Sequence, residues 1–352
     1  MAPRDEPDLT DTIPEAIPHG IDAGSLACLR DLESNVRWLS SWTIHHANHI
    51  RDKKDGLKVG GHQASCASAI TMMTALYFHT LRSEDRVAVK PHASPVFHAI
   101  QYLFGNQTRE QLENFRALGG AQSYPSRTKD ADDVDFSTGS VGLGPAMALF
   151  SSMAQDYLRR HHEDVRAKDA GRMIAVIGDA EMDEGNVYEA LWEGWKHDLR
   201  NCWWIVDYNR QSLDGVVSDH LFRLIDRVFR TTGWRVLTIK YGKRMREAFA
   251  KPGGKKLKKW INDCPNEMYS ALTFQGGAAW RTHILADIGT DAEAAALIEE
   301  HSDDALQGLM TNLGGHCLET MLEAFATASQ DDTPTCFLAY TVKGWKQVGV
   351  SR

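Results

Sequence analysis

The sequence predicts an α/β fold, a largely parallel sheet covered by helices on both faces. Five brief runs carrying β-branched or aromatic residues read as strands, namely Arg86–Val89, Met173–Ile177, Cys202–Val206, Trp234–Ile239 and Thr335–Tyr340. Helix-like segments separate them, and such alternation is the signature of parallel strands joined by helical crossovers. A long amphipathic helix leads the series. From Ile21 to about Ile50, Leu26, Leu29, Val36, Leu39 and Trp42 recur at helical spacing.

The remaining elements follow in order. Residues 1–20, acidic and proline-bearing, are expected to form a mobile tail unlike a secretory signal. Between the fourth and fifth strand candidates, residues of about 242–315 are irregular, with a glycine-rich patch at Phe274-Gln275-Gly276-Gly277 and acidic helices. We therefore read residues 21–352 as one domain with an elaboration before its last strand. At 352 residues and 43% hydrophobic content, the chain can bury one large core or two smaller ones.

A formal net charge of -8, with acids and bases interspersed, leaves no electrostatic footprint for nucleic acid or an anionic membrane. The run Lys255, Lys256, Lys258 and Lys259 is expected to be a solvated helix face. No apolar run approaches the roughly 20 residues that span a bilayer. Six scattered cysteines without a C-x-x-C pair indicate neither a zinc site nor a disulfide framework, so a reducing cytoplasm is the expected setting.

Ligands of open parallel sheets bind beyond the carboxyl ends of the strands, so the polar residues there come first as site candidates. Met173–Ile177 runs into Gly178-Asp179-Ala180-Glu181, and Cys202–Val206 into Asp207-Tyr208-Asn209-Arg210-Gln211. If these strands are neighbours, Asp179 and Asn209 emerge side by side. A carboxylate, an amide oxygen and a backbone carbonyl suit magnesium, which completes its octahedron with phosphate oxygens and water. The plainer alternative is that Asp179 caps a helix and Asn209 makes a turn.

Thr138-Gly139-Ser140-Val141-Gly142-Leu143-Gly144-Pro145 precedes an apolar run. Its glycines allow close backbone approach, and its proline marks a helix start able to receive an anion, although a tight packing loop would read the same way. Two histidines each stand just before a helix, in Gly60-Gly61-His62-Gln63-Ala64-Ser65 and Lys90-Pro91-His92-Ala93-Ser94-Pro95. There they can hydrogen-bond a phosphate oxygen or move a proton. Most of the fifteen histidines, including His45, His46 and His49, are expected to be structural.

Together these pieces resemble the thiamine diphosphate enzymes, whose signature is GDG followed after a gap by N. Gly178-Asp179-Ala180 and Asn209 match that spacing, with Ala180 replacing the second glycine. Further segments are similar to the homodimeric, bacterial-type decarboxylating component of pyruvate dehydrogenase. They are GGHQAS at Gly60–Ser65, HASP at His92–Pro95, SYP at Ser123–Pro125, VGLGP at Val141–Pro145, GDAEMDE at Gly178–Glu184, NRQSLDG at Asn209–Gly215, LGGH at Leu313–His316 and TVKG at Thr341–Gly344. Ser137-Thr138-Gly139-Ser140 and Met182-Asp183-Glu184-Gly185 instead resemble transketolase, and Cys317 stands where these families often carry aspartate.

The resemblance implies thiamine diphosphate and Mg2+ as cofactors, with the metal held by Asp179, Asn209 and the main-chain carbonyl of Gln211. It places His62, Ser65, His92 and Lys343 around the diphosphate and the active-site mouth, with His62 and His92 as catalytic proton donors or shuttles. Backbone of Val141, Gly142, Leu143 and Gly144 would touch the aminopyrimidine side, Ala180 and Glu181 would complete the cofactor loop, and Tyr124 would line the approach. The substrate implied is a small molecule, a 2-oxo acid or, for a transketolase, a sugar phosphate. A catalytically silent relative binding cofactor or partners is the third reading.

These families activate the cofactor with a glutamate from a pyrimidine-binding domain expected to follow Thr341–Gly344. The pyrimidine-binding and C-terminal domains are thus expected to lie outside this chain, which would turn over little without them. A homodimer, or a complex with a chain carrying the pyrimidine-binding domain, is implied. Trp38, Trp42, Trp192, Trp195, Trp203 and Trp204 either pack the core or serve such an interface.

Overall fold

A computed structural model of the chain describes residues 21–52, 56–166, 168–212, 215–216 and 221–346. The expected N-terminal tail lies outside these residues. Five strands form one parallel sheet: β1 (Arg86–Ala88), β2 (Met173–Gly178), β3 (Cys202–Tyr208), β6 (Arg235–Ile239) and β7 (Thr335–Tyr340), in the order β1-β2-β3-β7-β6. All five expected strands are present. Between β3 and β6 the short ribbon β4 (Gln211–Ser212) and β5 (Gly215–Val216) pairs antiparallel.

The strands are apolar throughout because both faces of the sheet are covered. Successive side chains point to opposite faces, so β3 sends Cys202, Trp204, Val206 and Tyr208 into one core and Trp203 and Ile205 into the other. Helices Leu143–His161, Gly185–Lys196 and Leu221–Thr231 pack on the first face. Helices Ala23–His45, Gln63–Ala75, Ser94–Leu103 and Leu318–Ala328 pack on the second. The long leading helix is capped by the Asp22 side chain, which accepts from Ser25 N, and ends in the π-helical turn His46–Ile50.

After β6, residues 243–310 form six helices, from Lys243–Phe249 to Asp303–Met310, that extend the first core with Trp260, Tyr269 and Trp280, before Leu318–Ala328 leads into β7. Within them Lys255, Lys256 and Lys259 are exposed on the helix Gly254–Asp263, opposite buried Leu257, Trp260 and Ile261. Three of the four lysines thus form a solvated face, while half-buried Lys258 holds its Nζ 5.5 Å from the Tyr241 ring centroid. The six cysteines are free thiols.

Candidate functional site

Parallel pairing of β2 with β3 sets Gly178 opposite Asp207, so the chain leaves both strands at the same level. Asp179 and Asn209 are consequently neighbours. The Asp179 Oδ2 accepts from Arg210 N at 2.8 Å and its Oδ1 from Ala180 N at 3.0 Å. Asn209 Oδ1 accepts from Gln211 N at 3.1 Å, closing a short turn over the strand end. Arg210, at φ 65°, makes the left-handed step that turns Gln211 into the ribbon. Ala180 sits in the 3-10 turn Asp179–Asp183 without a positive φ, so the methyl group replacing the signature's second glycine meets no backbone penalty.

Burial pushes the Asp179 carboxyl up to about 7, and the Asp207 charge adds to the rise against Lys90 and the two backbone donors. A buried carboxylate this costly to ionise is one that a divalent cation would stabilise. Burial also raises Glu181, opposed by the N–H groups of Gly178 and Gly142. Its two oxygens accept those groups at 3.0 and 3.1 Å, stitching the β2 tip to the glycine-rich loop. On the other side Asn186 Nδ2 donates to Gly142 O at 2.8 Å. Gly142 has φ 82°, and a Cβ there would lie 2.8 Å from both Asn186 Oδ1 and Glu184 Cβ, so only glycine fits this grip. Leu143 and Gly144 open the helix that follows, with Leu143 exposed and Gly144 buried, and Val141 is half-buried before it.

His62 and His92 meet across the cleft with ring centroids 4.2 Å apart, and Tyr124 lies 6.4 Å from His92. His62 forms the N-cap of Gln63–Ala75 at the rim, and His92 lies in the turn Pro91–Ala93. Burial lowers both rings, taking His92 to about 4, and Arg116, Lys343 and Lys90 reinforce the effect. Cations converging on two neutral imidazoles form a donor-rich cleft that suits a polyanion. Lys343 sits in the turn after β7, whose Gly344 N donates to Ala64 O at 3.1 Å beside Ser65. His316 braces the same turn, its Nε2 accepting from Val342 N at 2.7 Å and its ring stacking 4.2 Å from Trp345. Lys343, Asn209 and Gln211 line one small cavity.

The structure thus brings Asp179, Asn209 and Gln211 together beyond β2 and β3 and His62, His92 and Tyr124 together, with Lys343 lining a cavity beside Asn209 and Gln211 while acting on both histidines, and Gly142 tied to Glu181. Sequence reasoning passed over Lys90, Arg116, Asp207, Asn186 and the His98–Asp132 pair. Only Asp207 carried a usable signal, a charged residue within the apolar run Cys202–Tyr208.

Among the described residues, His98, Asp130 and Asp132 bring ligand-type atoms within 4.8 Å of one another. Each is already engaged. His98 Nδ1 pairs with Asp132 Oδ2 at 2.5 Å and its Nε2 with Gln122 O at 3.0 Å. Asp130 accepts Gln122 N and Ser126 N at 2.9 and 2.8 Å, so the cluster holds the loop that presents Tyr124.

A doubly covered parallel sheet with convergent polar groups at its strand tips defines a cofactor-binding α/β domain. The chain belongs to the transketolase thiamine diphosphate-binding family: residues 60–252 match "Transketolase, thiamine diphosphate binding domain". It is 30% identical over 334 residues to the pyruvate dehydrogenase E1 component of Escherichia coli K12, covering 92% of this chain and 36% of that protein. The fold matches transketolase from Leishmania mexicana with a TM-score of 0.62 at 16% identity, over 93% of this chain and 38% of the other. Transketolase from Campylobacter jejuni matches with a TM-score of 0.58 at 18% identity, over 90% and 38%. The chain therefore spans little more than a third of the length of the relatives it matches.

Proposed function

We propose that residues 21–352 are the diphosphate-binding domain, elaborated between β6 and β7, of a thiamine diphosphate-dependent enzyme that decarboxylates a 2-oxo acid. The observation carrying this reading is the adjacency of Asp179 and Asn209, with Asp179 Oδ2 2.8 Å from the Arg210 amide. Asp179, Asn209 and the Gln211 carbonyl would hold Mg2+, which would supply charge compensation for the diphosphate. Ser65, Lys343 and the cleft histidines would surround the diphosphate, while the Val141–Gly144 backbone, Ala180 and Glu181 would shape the wall beside the ring system. Thiamine diphosphate, when bound, supplies the carbanion and the electron sink. His62 and His92, kept neutral, are suited to accept or donate a proton at the carbonyl oxygen of the substrate, and Tyr124 narrows the approach.

Ketol transfer between sugar phosphates is the second reading, favoured by the transketolase-like segments Ser137–Ser140 and Met182–Gly185. Either chemistry would draw on the glutamate of a pyrimidine-binding region. A homodimer is part of this reading, and an exposed apolar groove would serve it. Leu143, Phe150 and Trp192 line a groove of about 970 Å3 between helices Leu143–His161 and Gly185–Lys196, and Trp195 beside it is exposed. Among the described residues no helix is long and apolar enough to cross a membrane.

The test has two parts. Calorimetry with thiamine diphosphate and Mg2+ is expected to show binding that Asp179→Ala and Asn209→Ala abolish; equal heats from all three proteins would refute the cation site. The assembled enzyme is expected to reduce an artificial acceptor with pyruvate. Turnover of xylulose and ribose phosphates alone would replace this reading with the second.

A further inference from the structure

Beneath the strand tips lies a buried ion pair that none of the proposed ligands requires. Lys90, just past β1, is 5% exposed, and Asp207, next to last in β3, is fully buried. Lys90 Nζ donates to Asp207 Oδ2 at 2.7 Å. The same oxygen accepts Ser68 Oγ at 2.5 Å and, at 3.5 Å, Asn209 Nδ2, while Oδ1 accepts Thr341 Oγ1 at 2.5 Å. These donors come from the helix Gln63–Ala75, the segment after β1, the β3 tip and the segment after β7. They are the pieces of chain that carry His62 and Ser65, His92, Asn209, and Lys343. The β2 tip rests on the same pair, since a Cβ built on Gly178 would lie 3.4 Å from Lys90 Cε.

Burying two opposite charges gains little over apolar residues of the same volume, so stability alone does not call for the pair. What the carboxylate adds is direction. An amide whose nitrogen donates to Asp207 must turn its oxygen the other way, where Asn209 Oδ1 already accepts from Gln211 N. Partners that orient a metal ligand in this manner commonly change metal affinity ten- to a hundred-fold when removed.

We propose that Asp207, anchored by Lys90, Ser68 and Thr341, is a positioning residue that fixes the Asn209 amide with its oxygen toward the cation. The proposal rests on the reading of Asp179 and Asn209 as cation ligands. Mn2+ binding to the chain in the presence of thiamine diphosphate, followed by electron paramagnetic resonance, separates the two claims. K90M/D207L removes the acceptor and both charges together, whereas K90Q/D207N removes the charges but keeps an oxygen for Asn209 Nδ2. The expected result is a Mn2+ affinity about ten- to a hundred-fold weaker in K90M/D207L, near wild type in K90Q/D207N, and cooperative melting in both.

Wild-type affinity in both variants, or equal loss in both, overturns the proposal while leaving the cation site standing. Absence of Mn2+ binding by the wild type overturns the site and the proposal together. Should K90M/D207L not fold, the Asn209 side-chain amide of the wild type decides by NMR. Protons protected from solvent exchange support the proposal, and exchange at the rate of an exposed amide overturns it.

Discussion

His92 and His98 lie on consecutive turns of one stretch of chain, yet one faces the cleft and the other stands behind the loop that frames it. Burial alone would strip the proton from both. His92 meets His62, Tyr124 and three cations, and its ring is pushed down to about 4. His98 is buried completely, but Asp132 and the Gln122 carbonyl more than offset that burial and raise it. A carbonyl only accepts, so Nε2 carries a proton, and the carboxylate at Nδ1 holds the second. The cations around His62 and His92 keep those two rings neutral, whereas the support behind them pairs His98 with Asp132.

The sharpest way to break this contrast is at the support. Asp132→Ala is expected to strip His98 of its carboxylate partner and to cost about 3–5 kcal/mol of stability, read as a shift in the urea midpoint. Glu181→Gln, at the join of loop and strand tip, keeps one acceptor for two amides. It is expected to cost about 1–3 kcal/mol and to weaken thiamine diphosphate binding in calorimetry. Gly142→Ala is expected to cost at least about 1–2 kcal/mol from its left-handed backbone, with cofactor affinity falling further than stability because the loop must shift off Glu184.

The two histidine classes also predict opposite pH limbs. His98, raised, contributes stability that is complete below the ordinary 6.5 and lost as pH rises through its folded value. His92 and His316, lowered by burial to about 4 and about 3, contribute stability that is complete above 6.5 and lost as pH falls toward those values. Urea midpoints measured across pH are therefore expected to fall on both sides, with His98→Gln flattening the alkaline limb and His92→Gln the acid one. The smallest effect on stability belongs to Trp192→Glu in the exposed groove, expected within about 0.5 kcal/mol of wild type. On the proposed homodimer, its measurable consequence would be loss of self-association in sedimentation velocity.

Strands were legible because each is a short apolar run bounded by polar residues, and the pairing of Asp179 with Asn209 followed from two such runs ending at one sheet edge. The leading helix was equally plain from its spacing. The tryptophans were not: Trp203 and Trp204 lie on opposite faces of β3 in two cores, while Trp38, Trp192 and Trp195 are exposed. A tryptophan reads alike in either place, and only the packing of neighbouring helices sorts them.

The sequence by itself determined the alternation of elements and the residues at the strand tips, since periodicity and turn chemistry act over a few residues. Tertiary structure alone decided which charges are shared. Lys90 meets Asp207, and Glu181 meets Gly142, across separations in the chain that local patterning does not span. Likewise the protonation of each histidine depends on partners brought up by other elements, because the cost of burying a charge is set by the groups packed against it.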